Sequence, residues 1–278
     1  MPSLGNLFRR ILGRVDPILV PRANRRLNAA IAAAPGPFRS RIDVAIDRAI
    51  AYFETQPEME MSALYMLTRL YRVGLEPRLA FMERMIADYI ARYNNPHWRY
   101  FDRSYEPWSE GALSRTQQIP SHPIEVLMLK CLYADRLGLG EELLWELAST
   151  DDGGGYGTTH IVVGGLALKA FSSMPAARID AMIQATVPAM LRAQQVSRAG
   201  DIFAERIMIL QWLNQHDQIQ DAWIHRVLEA QNADGGWPGR VSLRRHVSNQ
   251  HTASVALAAL VQYRAFHFRD GSRIGQIV

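Results

Sequence analysis

The sequence predicts an all-α fold, and more specifically an α/α toroid, a barrel of about five inner–outer helix pairs with a short N-terminal helical extension. Apolar residues recur at helical spacing from residue 39 onward, without convincing strand alternation. After Pro120, helices that are apolar on most sides alternate with amphipathic ones, as expected when buried helices are covered by outer ones. We therefore expect an extension over residues 1–37 and a toroid domain over residues 38–278.

Composition and charge exclude several classes of protein. The chain has 278 residues, of which 48% are hydrophobic and 21% charged, as in ordinary soluble domains. It contains no apolar run of about 18 residues and no secretory signal pattern, so we predict a cytoplasmic protein without a transmembrane segment. The net charge of +4 is spread along the chain without a dense basic tract, which argues against nucleic-acid binding. Because Cys131 is the single cysteine, an intrachain disulfide and a thiolate zinc cluster are both excluded.

The first predicted helix, residues 4–15, is short, basic and amphipathic. Its apolar residues share one face, and Arg9, Arg10 and Arg14 fall on the other. Packing on the body of the protein is the favoured interpretation, and peripheral contact with a membrane is the alternative.

Five further segments precede the alternating region. The sequence Pro35-Gly36-Pro37 predicts a break after the second helix. The tract 94–121 is long, irregular and rich in aromatic and acidic residues, which is typical either of a functional lid or of a surface loop pinned by its aromatic side chains. The helices predicted here span residues 22–34, 39–55, 61–72 and 77–93.

The alternating region defines inner and outer helices. If the inner helices run parallel, their N-termini collect at one mouth of the barrel, where helix dipoles and unpaired N–H groups favour polar ligands. The predicted inner helices are residues 124–137, 160–172, 202–213 and 251–266, and the outer ones are 141–148, 176–195 and 218–231.

A unit of sequence occurs twice, at residues 149–171 and 231–260. Both copies contain Asp-Gly-Gly, an aromatic residue, a short loop and a histidine beside a threonine, followed by a helix rich in small residues. We expect His160 and His251 to open equivalent inner helices.

The second copy resembles the glutamine–tryptophan repeat of squalene–hopene cyclases and their relatives. The residues that carry this resemblance are Arg226, Leu228, Gln231, Gly235 and Trp237. The resemblance implies that Gln231 caps an outer helix and that Trp237 packs beside it. The following stretch HTASVALAAL is similar to the start of an inner helix in protein prenyltransferase β subunits. The specific part of the resemblance covers residues 141–263, and the first copy is degenerate because Tyr156 stands where a tryptophan is expected.

The family activities do not carry over unchanged. The chain has no Asp-x-Asp-Asp motif, which class II terpene cyclases use to protonate their substrate. Prenyltransferases bind zinc through an Asp, a Cys and a His, and His251 stands where their histidine would be, but no Asp-x-Cys pair lies upstream. The resemblance to the terpenoid-cyclase and prenyltransferase toroid superfamily therefore implies the fold but neither of these activities.

Polar residues near the starts of four inner helices form the candidate site. Three imidazoles and one carboxylate would bind a divalent metal such as Zn²⁺ or Fe²⁺, and the metal-ligand candidates are His122, His160, Glu205 and His251. The candidate catalytic residues are Glu205, Tyr156 and Arg206. Arg206 and the loop residues Arg240, Arg244 and Arg245 would hold an acidic substrate group. The alternative is that each histidine caps a helix or faces solvent.

Two functions follow from these features. The first is an enzyme that acts on an apolar, isoprenoid- or lipid-like small molecule with a metal or acid–base group at the cavity mouth. The second is a non-catalytic protein that keeps the toroid to bind a lipid or a protein partner.

Overall fold

The computed structural model of the protein describes residues 19–33, 35–105, 123–197, 199–239 and 247–268. These residues are predominantly helical, which confirms the prediction of an all-α fold. The amphipathic segment 4–15 and the later part of the tract 94–121 lie outside the described residues. None of the described helices is both long enough and apolar enough to cross a membrane.

The first half of the described chain contains four α-helices and two short 3-10 helices. The 3-10 helices span Pro77–Ala80 and Pro96–Tyr100. The α-helices are α1 (Leu19–Ala33), α2 (Pro35–Glu54), α3 (Met61–Arg72) and α4 (Phe81–Arg92).

The second half contains the remaining helices and a short sheet. A third 3-10 helix, His216–Gln218, precedes α12, and β1 (Trp237–Pro238) pairs antiparallel with β2 (Ser248–Asn249). The α-helices are α5 (Pro123–Leu132), α6 (Ala134–Leu137), α7 (Glu141–Ala148), α8 (Tyr156–Phe171), α9 (Ala176–Ala185), α10 (Val187–Val196), α11 (Asp201–Trp212), α12 (Asp221–Glu229) and α13 (Gln250–Phe268).

Two predicted helix boundaries are corrected at prolines. The second predicted helix does end before Pro35-Gly36-Pro37, at Ala33. These three residues are not an irregular break, however, because α2 begins at Pro35 and holds both prolines in its first turn, where a missing N–H costs nothing. The domain boundary expected at residues 37–38 therefore falls inside α2. The outer helix predicted over residues 176–195 is divided at Thr186, because Pro188 removes a donor from the next turn.

Two of the four helices predicted to be inner ones, α11 and α13, are buried on nearly all sides. Every residue from Phe203 to Trp212 in α11 is buried, and so is every residue from Thr252 to Tyr263 in α13. The amphipathic helices cover them, as in α9, where only Ile179 and Ile183 are buried. The alternation read from the sequence thus separates core helices from covering helices.

The inner helices contact one another in a defined order. Helix α8 packs between α5 and α11, α11 packs on α13, and α13 packs on α3. The 3-10 helix Pro96–Tyr100 packs on α5, and its Tyr100 ring lies 4.7 Å from the ring of Tyr65 on α3. This order places α8, α11 and α13 side by side, and the polar residues near their N-termini meet at one end.

A group of hydrogen bonds that we call the clasp ties the region before α13 to the outer helices. Gln231 Nε2 donates to the carbonyl oxygens of Ala45 (2.8 Å) and Gly235 (2.9 Å). Trp237 is 2% exposed, and its Nε1 donates to the Val227 carbonyl at 2.7 Å. Trp237 packs beside α12 as the resemblance implies, but the Gln231 side chain does not cap that helix, because it bonds Ala45 within α2 and Gly235 in its own turn.

Glycine is required at position 235 of the clasp. Its φ is +94°, and a Cβ there would collide with the Arg48 carbonyl oxygen. The backbone of the turn can therefore lie directly against α2.

Candidate metal centre

Helix α11 supplies two carboxylates to the site. Asp201 is its first residue and Glu205 follows one turn later, so both side chains project from the same face. Glu205 is 2% exposed, which is unusual for a carboxylate that lacks a close ion-pair partner. The negative charge also lies at the N-terminal end of the helix, where the backbone dipole stabilises it.

Helix α13 supplies a histidine from its first turn. The Asn249 side chain accepts hydrogen bonds from the backbone N–H (2.9 Å) and hydroxyl (3.1 Å) of Thr252, which caps the helix start. Asn249 is itself held by strand pairing with Trp237. His251 therefore leaves a backbone that is fixed on both sides, and it faces α11 because the two helices pack together.

Three side chains meet at this point, and we call Asp201, Glu205 and His251 the triad. His251 Nε2 lies 3.3 Å from Asp201 Oδ1 and 3.9 Å from Glu205 Oε2. One donor atom of each side chain lies within 4.8 Å of the others. Ligands at the usual distances from a tetrahedral Zn²⁺ are about 3.4 Å apart, so the separation of Asp201 and His251 matches such a site and that of His251 and Glu205 is somewhat longer.

The donor atoms of the triad are buried and unsatisfied. Asp201 Oδ1, Glu205 Oε2 and His251 Nε2 are each enclosed, and none has a hydrogen-bond partner of acceptable geometry among the described residues. A buried polar atom without a partner costs about 1–3 kcal/mol, and more when it is charged. A cation bound between the three atoms would satisfy all of them.

The carboxylates also control the charge of His251. Burial by itself lowers the pKa of this imidazole, but the nearby carboxylates of Asp201 and Glu205 outweigh burial and raise the pKa to about 10. Without a metal the triad is therefore an imidazolium held by two carboxylates. A divalent cation would take the place of the proton on Nε2.

His160 lies beside the triad and not within it. Its Nδ1 is 2.8 Å from the Tyr156 carbonyl oxygen, which requires a proton on Nδ1, and 3.7 Å from Glu205 Oε1. The Tyr156 ring contacts the imidazole in a tilted arrangement, with a centroid distance of 3.9 Å and an interplanar angle of 41°. His160 thus lies near Oε1 of Glu205, while His251 lies near Oε2 of the same carboxylate.

The guanidinium of Arg206 is enclosed next to the triad. It is 3% exposed, and its Nη1 donates to Gln194 Oε1 (3.2 Å) and Ser197 Oγ (2.9 Å). Burial lowers the pKa of Arg206 to about 10, and the charges of Glu205 and Asp152 oppose that shift. Its contacts tie α11 to the end of α10, and the expected contact with an acidic substrate group stays a prediction.

The predicted ligand set and the observed cluster overlap in part. Glu205 and His251 come together, and His160 lies in contact with Glu205. The fourth predicted ligand, His122, and the basic residues Arg240, Arg244 and Arg245 lie outside the described residues.

Asp201 is the member of the triad that the sequence did not predict. The predicted helix began at residue 202, so the pair Asp201 and Glu205 was not seen as two carboxylates on one helical face. The four-residue spacing of Asp201 and Glu205 could have indicated that both carboxylates share one helical face.

The two repeated units differ in register. Helix α8 begins at Tyr156, so His160 is its fifth residue, whereas His251 is the second residue of α13. The prediction that both histidines open their helices equivalently is therefore wrong. The Asp152 carboxylate accepts hydrogen bonds from the backbone N–H groups of Gly157 and Thr158. These bonds cap α8, so the helix begins almost one turn before His160. This offset of nearly one turn explains why only His251 reaches the centre of the triad.

Nothing matches the chain in comparisons with protein-family models, with curated proteins or with solved structures.

Proposed function

We propose that the protein is a metal-dependent enzyme of the α/α-toroid type that acts on an apolar small molecule, with a divalent cation bound by Asp201, Glu205 and His251. The observation that carries this proposal is the burial of three ligand-type atoms within 4.8 Å of one another without partners. Buried carboxylate and imidazole atoms without well-formed hydrogen bonds are costly, and a bound cation would offset that cost.

The order of helix contacts supports the toroid. Inner helices follow one another from α5 through α8 and α11 to α13 and α3, and the Tyr65–Tyr100 ring contact continues the series toward α5. The clasp supports the resemblance in part, since Trp237 bonds the Val227 carbonyl of α12, whereas Gln231 bonds Ala45 and Gly235 rather than the end of that helix. In this arrangement the triad occupies the end of the barrel at which α8, α11 and α13 begin.

The donor set departs from that of the prenyltransferases in one respect. Their Asp and His correspond in type to Asp201 and His251, but the third position of the triad is the Glu205 carboxylate and not a thiolate. Oxygen and imidazole donors suit Zn²⁺, Fe²⁺ or Mn²⁺, and the loss of sulfur shifts preference toward harder cations. We therefore do not extend protein prenylation to this chain.

A bound cation would polarise a substrate oxygen or lower the pKa of a bound water. The residues of the chain have separate tasks around it. Glu205 presents one oxygen to the triad and the other to His160, so it links the centre to a second imidazole. Tyr156 fixes the orientation of His160 through its carbonyl and its ring. The apolar character expected of the substrate follows from the resemblance.

Elemental analysis and zinc titration of the purified protein test the proposal. We expect one zinc or iron ion per chain, and His251→Ala should weaken zinc binding by at least roughly 100-fold because it removes a direct ligand. His160→Ala should retain a stoichiometric ion, since His160 lies outside the triad. Asp180→Asn is the matched control, because Asp180 forms an ion pair with Lys169 on the surface.

Two results would overturn the proposal. One is less than stoichiometric metal that does not increase on titration. The other is zinc binding that is equally strong in His251→Ala and in the unaltered protein. Either result would favour the non-catalytic toroid that binds a lipid or a protein partner.

A further inference from the structure

Two stacked pairs of rings connect the chain after α11 to the last turns of α13. The ring of His216, in the 3-10 helix that follows α11, lies parallel to the ring of Phe266 at a centroid distance of 4.1 Å. His267 stacks on Tyr263 at the same centroid distance. We call His216, Tyr263, Phe266 and His267 the ring joint.

The ring joint lies at the ends of α11 and α13 that are opposite to the triad. Asp201 and Glu205 belong to the first five residues of α11, and His251 is the second residue of α13. The joint, in contrast, follows the end of α11 and includes the last residues of α13. Asp221 of α12 accepts a hydrogen bond from the Tyr263 hydroxyl, so the joint also fastens α12.

The environment of His216 favours the neutral imidazole. The residue is 7% exposed, and its Nδ1 is buried without a hydrogen-bond partner in the part of the chain that the structure describes. An imidazolium has two N–H donors, so protonation would enclose a charged donor that has no acceptor. The face of Phe266 would favour the charged ring, but this gain is smaller than the cost of a buried charged donor without a partner.

The charges around the joint act in both directions. Burial lowers the pKa of His216, a charge on His267 would lower it further, and the Asp217 carboxylate opposes this shift. Burial also lowers the pKa of His267, although Asp221, Asp217 and hydrogen bonding to the His216 backbone oppose the shift. From α2, Arg39 lies over the ring of the last described residue of α13 and adds a positive charge on this side. Both pKa values remain below the ordinary value of 6.5, so both imidazoles are neutral at pH 7.

We propose that the ring joint is a pH-sensitive device, in which protonation of His216 in mildly acidic solution separates the 3-10 helix from the end of α13. The neutral ring can remain against Phe266, whereas the charged ring must reach water or an acceptor. A second positive charge, on His267, would add repulsion between the two imidazoles. The opening is local because the bond between Asp221 and Tyr263 remains, and it does not depend on a bound metal.

Two measurements on the full-length, metal-free protein test this proposal. A histidine-selective NMR titration should give His216 an apparent pKa below 6.5. Hydrogen exchange, corrected for the intrinsic effect of pH, should be roughly tenfold faster at pH 5 than at pH 7.5 in residues 215–219 and 264–268. The reason is that a buried charged donor without an acceptor disfavours the closed joint by about that factor.

A variant and a matched control assign the effect to His216. His216→Phe keeps an aromatic ring against Phe266 but does not titrate, so exchange in both segments should lose its dependence on pH. His225→Gln should keep the tenfold change, because His225 lies on α12 outside the joint.

Three results would overturn the proposal. The first is a normal or raised pKa for His216, which the NMR titration measures without any variant. The second is exchange that is independent of pH in the unaltered protein or equally accelerated throughout α11 and α13, since the latter reports global destabilisation. The third is a pH dependence that persists in His216→Phe.

Discussion

The clasp lies in the chain between Glu205 and His251 of the triad, and the two groups differ in how their polar atoms are satisfied. In the clasp, Gln231 and Trp237 each donate to backbone carbonyls at normal distances. In the triad, the facing atoms of Asp201, Glu205 and His251 are buried without hydrogen-bond partners. Polar groups that stabilise a fold are satisfied within it, so the unsatisfied cluster is the one that indicates a ligand.

The largest expected effect is a dependence of stability on pH that belongs to the triad. The pKa of His251 is raised from 6.5 to about 10 in the fold, so the folded protein holds this proton more tightly than the unfolded chain. The stabilisation is complete below pH 6.5 and is lost as pH rises toward 10. The free energy of unfolding of the metal-free protein should fall by about 1.4 kcal/mol per pH unit within this window.

Urea unfolding of the unaltered protein and of His251→Gln between pH 6 and 10 measures this effect. The difference between the two proteins should shrink as pH rises, because glutamine does not titrate. Parallel curves over the whole range would show that His251 is not held as an imidazolium by the carboxylates. The clasp contains no titratable donor, so Gln231→Ala should give a curve parallel to that of the unaltered protein.

A smaller expected effect is the difference in stability between a variant of the clasp and a variant of the triad. Gln231→Ala leaves two carbonyls of the clasp without their donor and should cost about 2 kcal/mol of unfolding free energy. Glu205→Gln keeps the shape of the side chain and removes one charge from the triad, and it should change the stability of the metal-free protein by less than about 1 kcal/mol.

Urea unfolding at pH 7, with a chelator present, compares these two variants. We expect Gln231→Ala to bind zinc normally while it remains folded, and Glu205→Gln to lose zinc binding while it stays stable. A Glu205→Gln variant that is destabilised more than Gln231→Ala would mean that Glu205 has a structural role.

Much of the fold could be predicted from the sequence because burial leaves a compositional signal. Helices α11 and α13 are apolar nearly all round, and the structure buries almost every residue of both. The packing of Trp237 beside α12 was also predictable, since Val227 and Trp237 lie close in the sequence, but the bond from Gln231 to the distant Ala45 was not. The two-residue strands around the loop before α13 were not, because so short a pairing has no periodicity to detect.

The site was less predictable because it depends on helix register. His160 and His251 look alike in sequence, but the capping of α8 by Asp152 displaces His160 by almost a turn relative to its helix start. Asp201 was missed because a one-residue error at a helix start removed it from the helical face that it shares with Glu205. Sequence periodicity predicts neither the distance between α11 and α13 nor the lack of hydrogen-bond partners for the triad atoms.

X-ray absorption spectroscopy of the zinc-loaded protein tests the central claim most directly, because it counts the ligands around the ion. We predict a first shell made only of oxygen and nitrogen atoms at about 2.0–2.1 Å, with one imidazole, that of His251. This signal should disappear in His251→Gln and persist in His160→Gln. A shell with two or more imidazoles, or one that survives in His251→Gln, would contradict the assignment of the metal to Asp201, Glu205 and His251.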